Sequence, residues 1–237
     1  MKLYAIYTDS HNVLKDKWFL KTMKDDWDLN INYIGCSGAR HSTRNFFNIV
    51  AIKKLELIVK SIKENINDII VWSDVDIQFF GKCENAILES LKDKDIVFQR
   101  KWLCRDEVNV GFHAMKCNER TLRLWEYVLR YCRKNICDFG NERFPLGEQD
   151  VVNRILHDDI LDIKWGILPD SIWAKSCGLE PPIDILLHHA NCVGKINRKL
   201  KQLEEIRNLV SSPYRLKLAY RKRRMKKFIK GMFPIKL

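Results

Sequence analysis

The chain has no apolar run approaching the ~20 residues of a membrane-spanning helix, so none of its segments is expected to cross a bilayer as a helix. Its opening, Met1-Lys2-Leu3-Tyr4-Ala5-Ile6-Tyr7-Thr8-Asp9, turns polar too soon for a secretory signal and reads as a first β-strand. Cys-x-x-Cys is absent. The eight cysteines (36, 83, 104, 117, 132, 137, 177 and 192) are scattered without zinc-ligand spacing. That pattern fits reduced, partly buried thiols in a cytoplasmic protein, with a disulfide framework as the alternative. No internal repeat or low-complexity block precedes the last 25 residues. From Pro213 to Leu237 there is no Asp or Glu at all, against ten Lys/Arg. The remaining 32 basic side chains face 30 acidic ones, so the net charge of +12 belongs almost wholly to the tail.

What is present suits one sizeable domain. An apolar fraction of 46% over 237 residues is enough for a full core. Strand and helix signals alternate, which gives an α/β class with a central mixed sheet. Strands are expected at Lys2–Thr8, Asn30–Ile34, Asp68–Ser73, Asp95–Gln99, Val108–Met115, Asp162–Leu168 and Asp184–Leu187. Helices are expected at Lys15–Met23, Thr43–Asn65, Glu84–Leu91, Asn118–Lys134 and Gly147–Leu156, with Asp9–Asn12 and Gly35–Thr43 as loops. In the long helix Ala51, Leu55, Ile58 and Ile62 share one face. Residues 1–210 form the expected domain and 211–237 a basic amphipathic tail.

Four clusters carry candidate chemistry. The apolar strand Ile69 to Trp72 runs into Ser73-Asp74-Val75-Asp76, placing two carboxylates at the carboxyl edge of a sheet, where open α/β sheets bind ligands. Alternate residues of an extended segment point the same way, so Asp74 and Asp76 can face one cation. Mg²⁺ or Mn²⁺ prefers such oxygen donors and leaves room for substrate phosphates. His188-His189-Ala190-Asn191 follows a second apolar run and offers imidazole nitrogen, or an ordinary loop hydrogen bond. Beyond it, Gly194 gives a turn, while Lys195 and Lys199 supply cations suited to a diphosphate. Glu148-Gln149-Asp150 either caps a helix N-terminus or faces a reacting sugar. Asn109-Val110-Gly111-Phe112 interrupts a strand, as a bulge or a close ligand approach would.

The order of these clusters resembles the nucleotide-diphospho-sugar transferases of the GT-A type, and among them a group of glycosyltransferases of bacteria and large viruses. The matching segments are Ile6 to His11, Asp74 to Phe80, Asp95 to Gln99, Asn109 to Phe112, Glu148 to Asn153 and His188 to Gly194. They span roughly residues 2 to 208. The resemblance implies a single GT-A-like domain, metal-dependent glycosyl transfer from a nucleotide-diphosphate donor (a UDP-sugar first), and a glycan or lipid-linked acceptor. It implies Asp74, Asp76 and His189 as metal ligands, with His188 as the fallback. It puts Thr8, Asp9, Lys54, Asp74, Asn109, Gly194 and Lys195 at the nucleotide or donor, and Glu148, Gln149 and Asp150 on the reacting side. Glu148 stands where the family has Asp, and Cys192-Val193-Gly194 is a shorter spacing than usual.

The tail, read as a helix, gathers Leu218, Met225, Phe228, Ile229 and Met232 on one side with cations around the rest. This is the pattern of a helix lying on an anionic membrane surface, and it points to a peripheral, cytoplasmic-side location. The rival function is nucleic-acid binding or metal-dependent phosphoryl transfer using the basic tail. That rival needs a basic groove across the body, and the body is nearly neutral.

Overall fold

The computed structural model describes residues 1–35, 43–102, 105–139, 147–191 and 194–232. Most of the expected loop before the long helix and the pair Cys192-Val193 lie outside the described residues.

In chain order the elements are β1 (Lys2–Tyr7), α1 (Asn12–Leu14), β2 (Asp28–Tyr33), α2 (Thr43–Glu64), β3 (Ile69–Ser73), β4 (Ile77–Phe79), α3 (Glu84–Leu91), β5 (Ile96–Trp102), β6 (Arg105–Lys116), α4 (Glu119–Phe139), α5 (Glu148–His157), β7 (Trp165–Ile167), β8 (Ile172–Ala174), β9 (Leu187–His189), α6 (Ile196–Val210) and α7 (Pro213–Met232). A six-stranded sheet has the order β2-β1-β3-β6-β5-β7, and a three-stranded sheet the order β4-β9-β8. In the large sheet β1 pairs in parallel with β2 and β3, while β6 runs antiparallel to β3 and β5.

Both faces of the large sheet are covered, which is why β3 is apolar from Ile69 to Trp72. Alternation along β1 sends Tyr4 and Ile6 to one side, where they meet Leu55, Ile58 and Ile62 of α2 and Trp125 and Val128 of α4. Leu3 and Ala5 go to the other, against Phe19, Trp27, Phe79 and Ile87. The face expected for the long helix is found: Ala51, Leu55, Ile58 and Ile62 are all buried. Cys83, Cys117 and Cys132 are buried free thiols. Burial pushes the Cys117 and Cys132 thiols up to about 12, so neither is a nucleophile at neutral pH.

Several boundaries differ from expectation. Asp9–Asn12 is helical instead of a loop, with a 3₁₀ turn at Asp9–His11 leading into α1. The final strand lies at Leu187–His189 instead of Asp184–Leu187, since it forms only where β4 and β8 offer partners. The strand expected over Asp162–Leu168 shrinks to β7 at Trp165–Ile167, its length set by pairing with β5. The three-residue strands β4 and β8 leave no periodic signal, and β6 is longer than its apolar core.

The tail forms α7 and is docked. Leu216, Ala219 and Arg223 are buried on its inner face. Arg223 sits 2.9 Å from Asp170 and donates to the Glu180 carbonyl at 2.5 Å, and Lys226 pairs with Glu180 at 2.8 Å. Among the described residues, no helix is long and apolar enough to cross a membrane.

Candidate metal centre

Strands β1, β2 and β3 are parallel, so their carboxyl ends share one edge. That edge holds Thr8, Asp9, Tyr33 and Asp74 together. Thr8 is buried, with its hydroxyl 3.0 Å from His11 Nδ1. Asp9 Oδ1 accepts a 2.6 Å hydrogen bond from the Tyr33 hydroxyl, and the Tyr7 and Tyr33 rings lie 5.4 Å apart.

The acidic pair spans the step from the large sheet to the small one. The Asp74 N–H donates to the Gly111 carbonyl at 2.7 Å, prolonging the β3–β6 ladder by one residue. The Asp76 carbonyl accepts from the Ala190 N–H at 2.9 Å, immediately before β4 pairs Ile77 with His189. These two backbone contacts bring Asp74, Asp76 and His189 together, with one ligand atom from each all lying within 4.8 Å of one another.

Each ligand is held. Asp76 and His189 are almost fully buried, and His189 Nε2 lies 3.3 Å from Asp76 Oδ1. Lys199, from the first turn of α6, pairs with Asp76 Oδ2. Burial alone would raise the Asp76 carboxyl, but His189 and Lys199 outweigh it and hold the group well below the usual carboxylate range. Asp74 Oδ1 accepts from Trp72 Nε1 at 3.3 Å and Lys54 Nζ at 3.2 Å. Its other oxygen, Oδ2, faces the spot above Gly111 that His189 also faces: a Cβ on Gly111 would meet His189 Cε1 at 2.3 Å and Asp74 Oδ2 at 2.8 Å. Two carboxylates, one imidazole and a cradle kept free of side chain fit a divalent ion of the Mg²⁺ or Mn²⁺ class.

The residue that sequence reasoning missed is Gln99. It is fully buried, and its Oε1 lies 2.9 Å from His189 Nδ1. Oε1 only accepts, so Nδ1 carries a proton, and Nε2 is the ring nitrogen that faces Asp76 and is available to a cation there. Its one sequence signal is a polar amide closing the apolar run Ile96 to Phe98. Gln99→Leu is expected to lower Mn²⁺ affinity by about 10- to 100-fold, with the fold retained. Titration of Mn²⁺ binding checks this; an unchanged affinity would remove Gln99 from the centre.

The Asn109 to Phe112 interruption is a bulge. Phe98 pairs with His113 but Gln99 with Asn109, so residues 110–112 leave the β5 ladder. The freed Val110 carbonyl accepts from Lys54 Nζ at 3.3 Å and from His113 Nδ1 at 3.2 Å, and its N–H donates to Gln149 Oε1 at 3.4 Å. Asn109 Oδ1 accepts from the Gly111 N–H at 2.8 Å. Asn153, also missed, clamps α5 to β6: its Oδ1 accepts from the Val108 N–H at 2.7 Å and its amide donates back to the Val108 carbonyl at 3.1 Å.

Lys54 lies beneath both acidic clusters, 3.2 Å from Asp74 and 3.7 Å from Glu148. Burial would lower its ammonium, but Asp74 and Glu148 outweigh that and raise it, so it stays charged. Glu148 and Gln149 thus adjoin the metal group through Lys54 and Val110. Asp150 is exposed and caps α5 by accepting from the Gly147 N–H at 3.3 Å. Gly194 and Lys195 are exposed before α6, where a Cβ on Gly194 would meet no described residue within 4 Å; Lys199, one turn on, reaches Asp76. His188 is no fallback ligand. It points to the opposite side of β9 from His189, stacks on Trp173 at 5.0 Å, and sits 3.0 Å from Gln78 Nε2.

This mixed α/β sheet layered by helices is shared with two solved glycosyltransferases. A glycosyltransferase involved in the glycosylation of the major capsid of PBCV-1 superposes with a TM-score of 0.53 at 10% identity, covering 86% of this chain and 100% of that one. The glycosyltransferase GlyE of Streptococcus pneumoniae TIGR4 gives a TM-score of 0.51 at 11% identity, covering 87% of this chain and 63% of that one. The likeness to both is one of fold. No protein family matches the sequence, and no curated protein is similar to it.

Proposed function

We propose that the chain is a metal-dependent glycosyltransferase, moving a sugar from a nucleotide-diphosphate donor to a glycan or lipid-linked acceptor. The observation that carries this reading is the group Asp74, Asp76 and His189, with Gln99 setting the His189 tautomer. A divalent ion bound there supplies charge neutralisation of a departing diphosphate. Asp74, Asp76 and His189 would hold it, and Gly111 keeps the space open. Lys199 adds a mobile positive charge beside Asp76, placed to meet phosphate oxygens once they enter. Thr8, Asp9 and the Tyr7–Tyr33 pair, at the neighbouring strand ends, suit the nucleoside, with uridine the first candidate. Glu148 and Gln149 lie on the acceptor side. Lys54 keeps the Asp74 and Glu148 carboxylates close without mutual repulsion. Residues 1–210 act as the transferase unit.

Thermal melting with UDP-, GDP- and CMP-sugars, with and without Mn²⁺, tests the proposal. A UDP-sugar with metal is expected to raise the midpoint by several degrees, as about 3 kcal/mol of ligand stabilisation at a hundredfold excess over Kd implies. Metal-independent stabilisation by oligonucleotides, with none by any nucleotide sugar, would replace it with the polyanion reading.

A further inference from the structure

Helix α7 is amphipathic in the reverse of the usual sense. Its inner face is fixed to the body chiefly by charge: Arg223 and Lys227 reach Asp170, and Arg223 and Lys226 reach Glu180. Asp170 would be raised by burial, but Lys227 and Arg223 hold it below the usual carboxylate range. The outward face carries the large apolar side chains. Tyr214, Leu218, Met225, Phe228 and Ile229 are 78, 45, 63, 67 and 51% exposed. Positions 214, 218, 225, 228 and 229 fall on one stripe of the helix, and the exposed Arg221 lies on the same stripe between Leu218 and Met225. Exposed cations flank the stripe, Lys217 and Arg224 on one side, Arg215 and Lys222 on the other, and none has an acidic partner among the described residues.

We infer that this stripe lies in the headgroup region of an anionic lipid bilayer, with α7 parallel to the surface. An apolar ridge between two rows of cations matches the layering of such a bilayer, with acyl chains beneath and lipid phosphates at the rim, and the long Arg221 side chain on the ridge can reach up to those phosphates. A second copy of α7 is a poor occupant, because it would set two wholly cationic helices against one another. The polar latch has its own use. It fixes which face of α7 turns outward, so the apolar stripe is presented and not folded back onto the body. This inference stands apart from the catalytic proposal, since none of these residues belongs to the metal centre.

The test is flotation of the full chain with vesicles of phosphatidylcholine alone or with 30% phosphatidylglycerol, roughly the anionic content that gives a strong surface potential. Binding is expected to the anionic vesicles only. The double variant Met225→Glu/Phe228→Glu is expected to lose at least about tenfold in partitioning, because it removes two apolar side chains from the interface. Its melting midpoint and circular dichroism should match wild type, since both positions are exposed. Lys222→Gln/Arg224→Gln should weaken binding to anionic vesicles and reduce its salt dependence. Absence of binding to the anionic vesicles overturns the inference. So does a wild-type affinity in the Met225/Phe228 variant, and so does a concentration-dependent dimer abolished by that variant.

Discussion

Asp76→Asn is expected to abolish metal-dependent sugar transfer while the protein stays folded. The substitution is nearly isosteric, so its effect is one of charge. Asp76 is the most enclosed carboxylate of the centre, and it alone touches both His189 and Lys199. As an amide it offers a divalent ion a neutral oxygen in place of an anion, and the loss of transition-state charge stabilisation should cost about a thousandfold in kcat/KM or more. The structural cost is smaller. The Asp76 backbone carbonyl still receives the Ala190 N–H, and Gln99 still holds His189. Lys199 is partly exposed and can turn to solvent, so the destabilisation is held to about 1–2 kcal/mol, below the usual figure for breaking a buried pair. Turnover at the wild-type rate with Mn²⁺, measured on a variant whose melting midpoint has moved by only a few degrees, would sink the catalytic assignment.

Gly111→Ala should be equally damaging by a different route. The added Cβ would sit 2.3 Å from His189 Cε1, 2.8 Å from Asp74 Oδ2 and 3.0 Å from Asn109 Oδ1. No real Cβ tolerates the first of these. The His189 ring cannot step aside cheaply, because Gln99 holds one edge and burial encloses the rest. The methyl therefore fills the space between two ligands, and either the imidazole or the carboxylate must leave. Overpacking costs about 1–3 kcal/mol of stability. The larger effect is on binding: Mn²⁺ affinity is expected to fall at least about a hundredfold, and the Mn²⁺-dependent rise in melting temperature to vanish with it. A variant that keeps the wild-type metal response would place the ion elsewhere than between Asp74 and His189.

The parts of this molecule that were legible in the sequence are those with a local signal. The α2 face, the β3 strand ending in Asp74-Val75-Asp76, and the helix opening at Glu148 all follow from periodicity, capping or an abrupt change of polarity. Lys54 was legible through family resemblance, and the structure puts it beside Asp74. The Asn109–Gly111 interruption was visible, and the β5–β6 register shows it to be a bulge, with His189 and Asp74 packed over Gly111. The strands β4, β8 and β9 were obscure for a physical reason. Three residues make no period, and these strands exist only through one another. Gln99 was hidden likewise, since nothing in its neighbours tells that His189, 90 positions on, will meet it. The resemblance put His189 first with His188 as the fallback, and the register of β9 sets His189 beside Asp74 and Asp76 with His188 on the other side of the strand.

That division has a temporal side. Asp74 rides on the large sheet and His189 on the small one, and 115 positions separate them. A chain that has paired only β1, β2 and β3 already carries both aspartates but has no third donor and no Gln99 to orient one. Contacts so distant in sequence close late, after the loop between them has given up its freedom. The group Asp74, Asp76 and His189 is thus brought together only at the end of folding. The step between the two sheets makes the centre a checkpoint on its own completion.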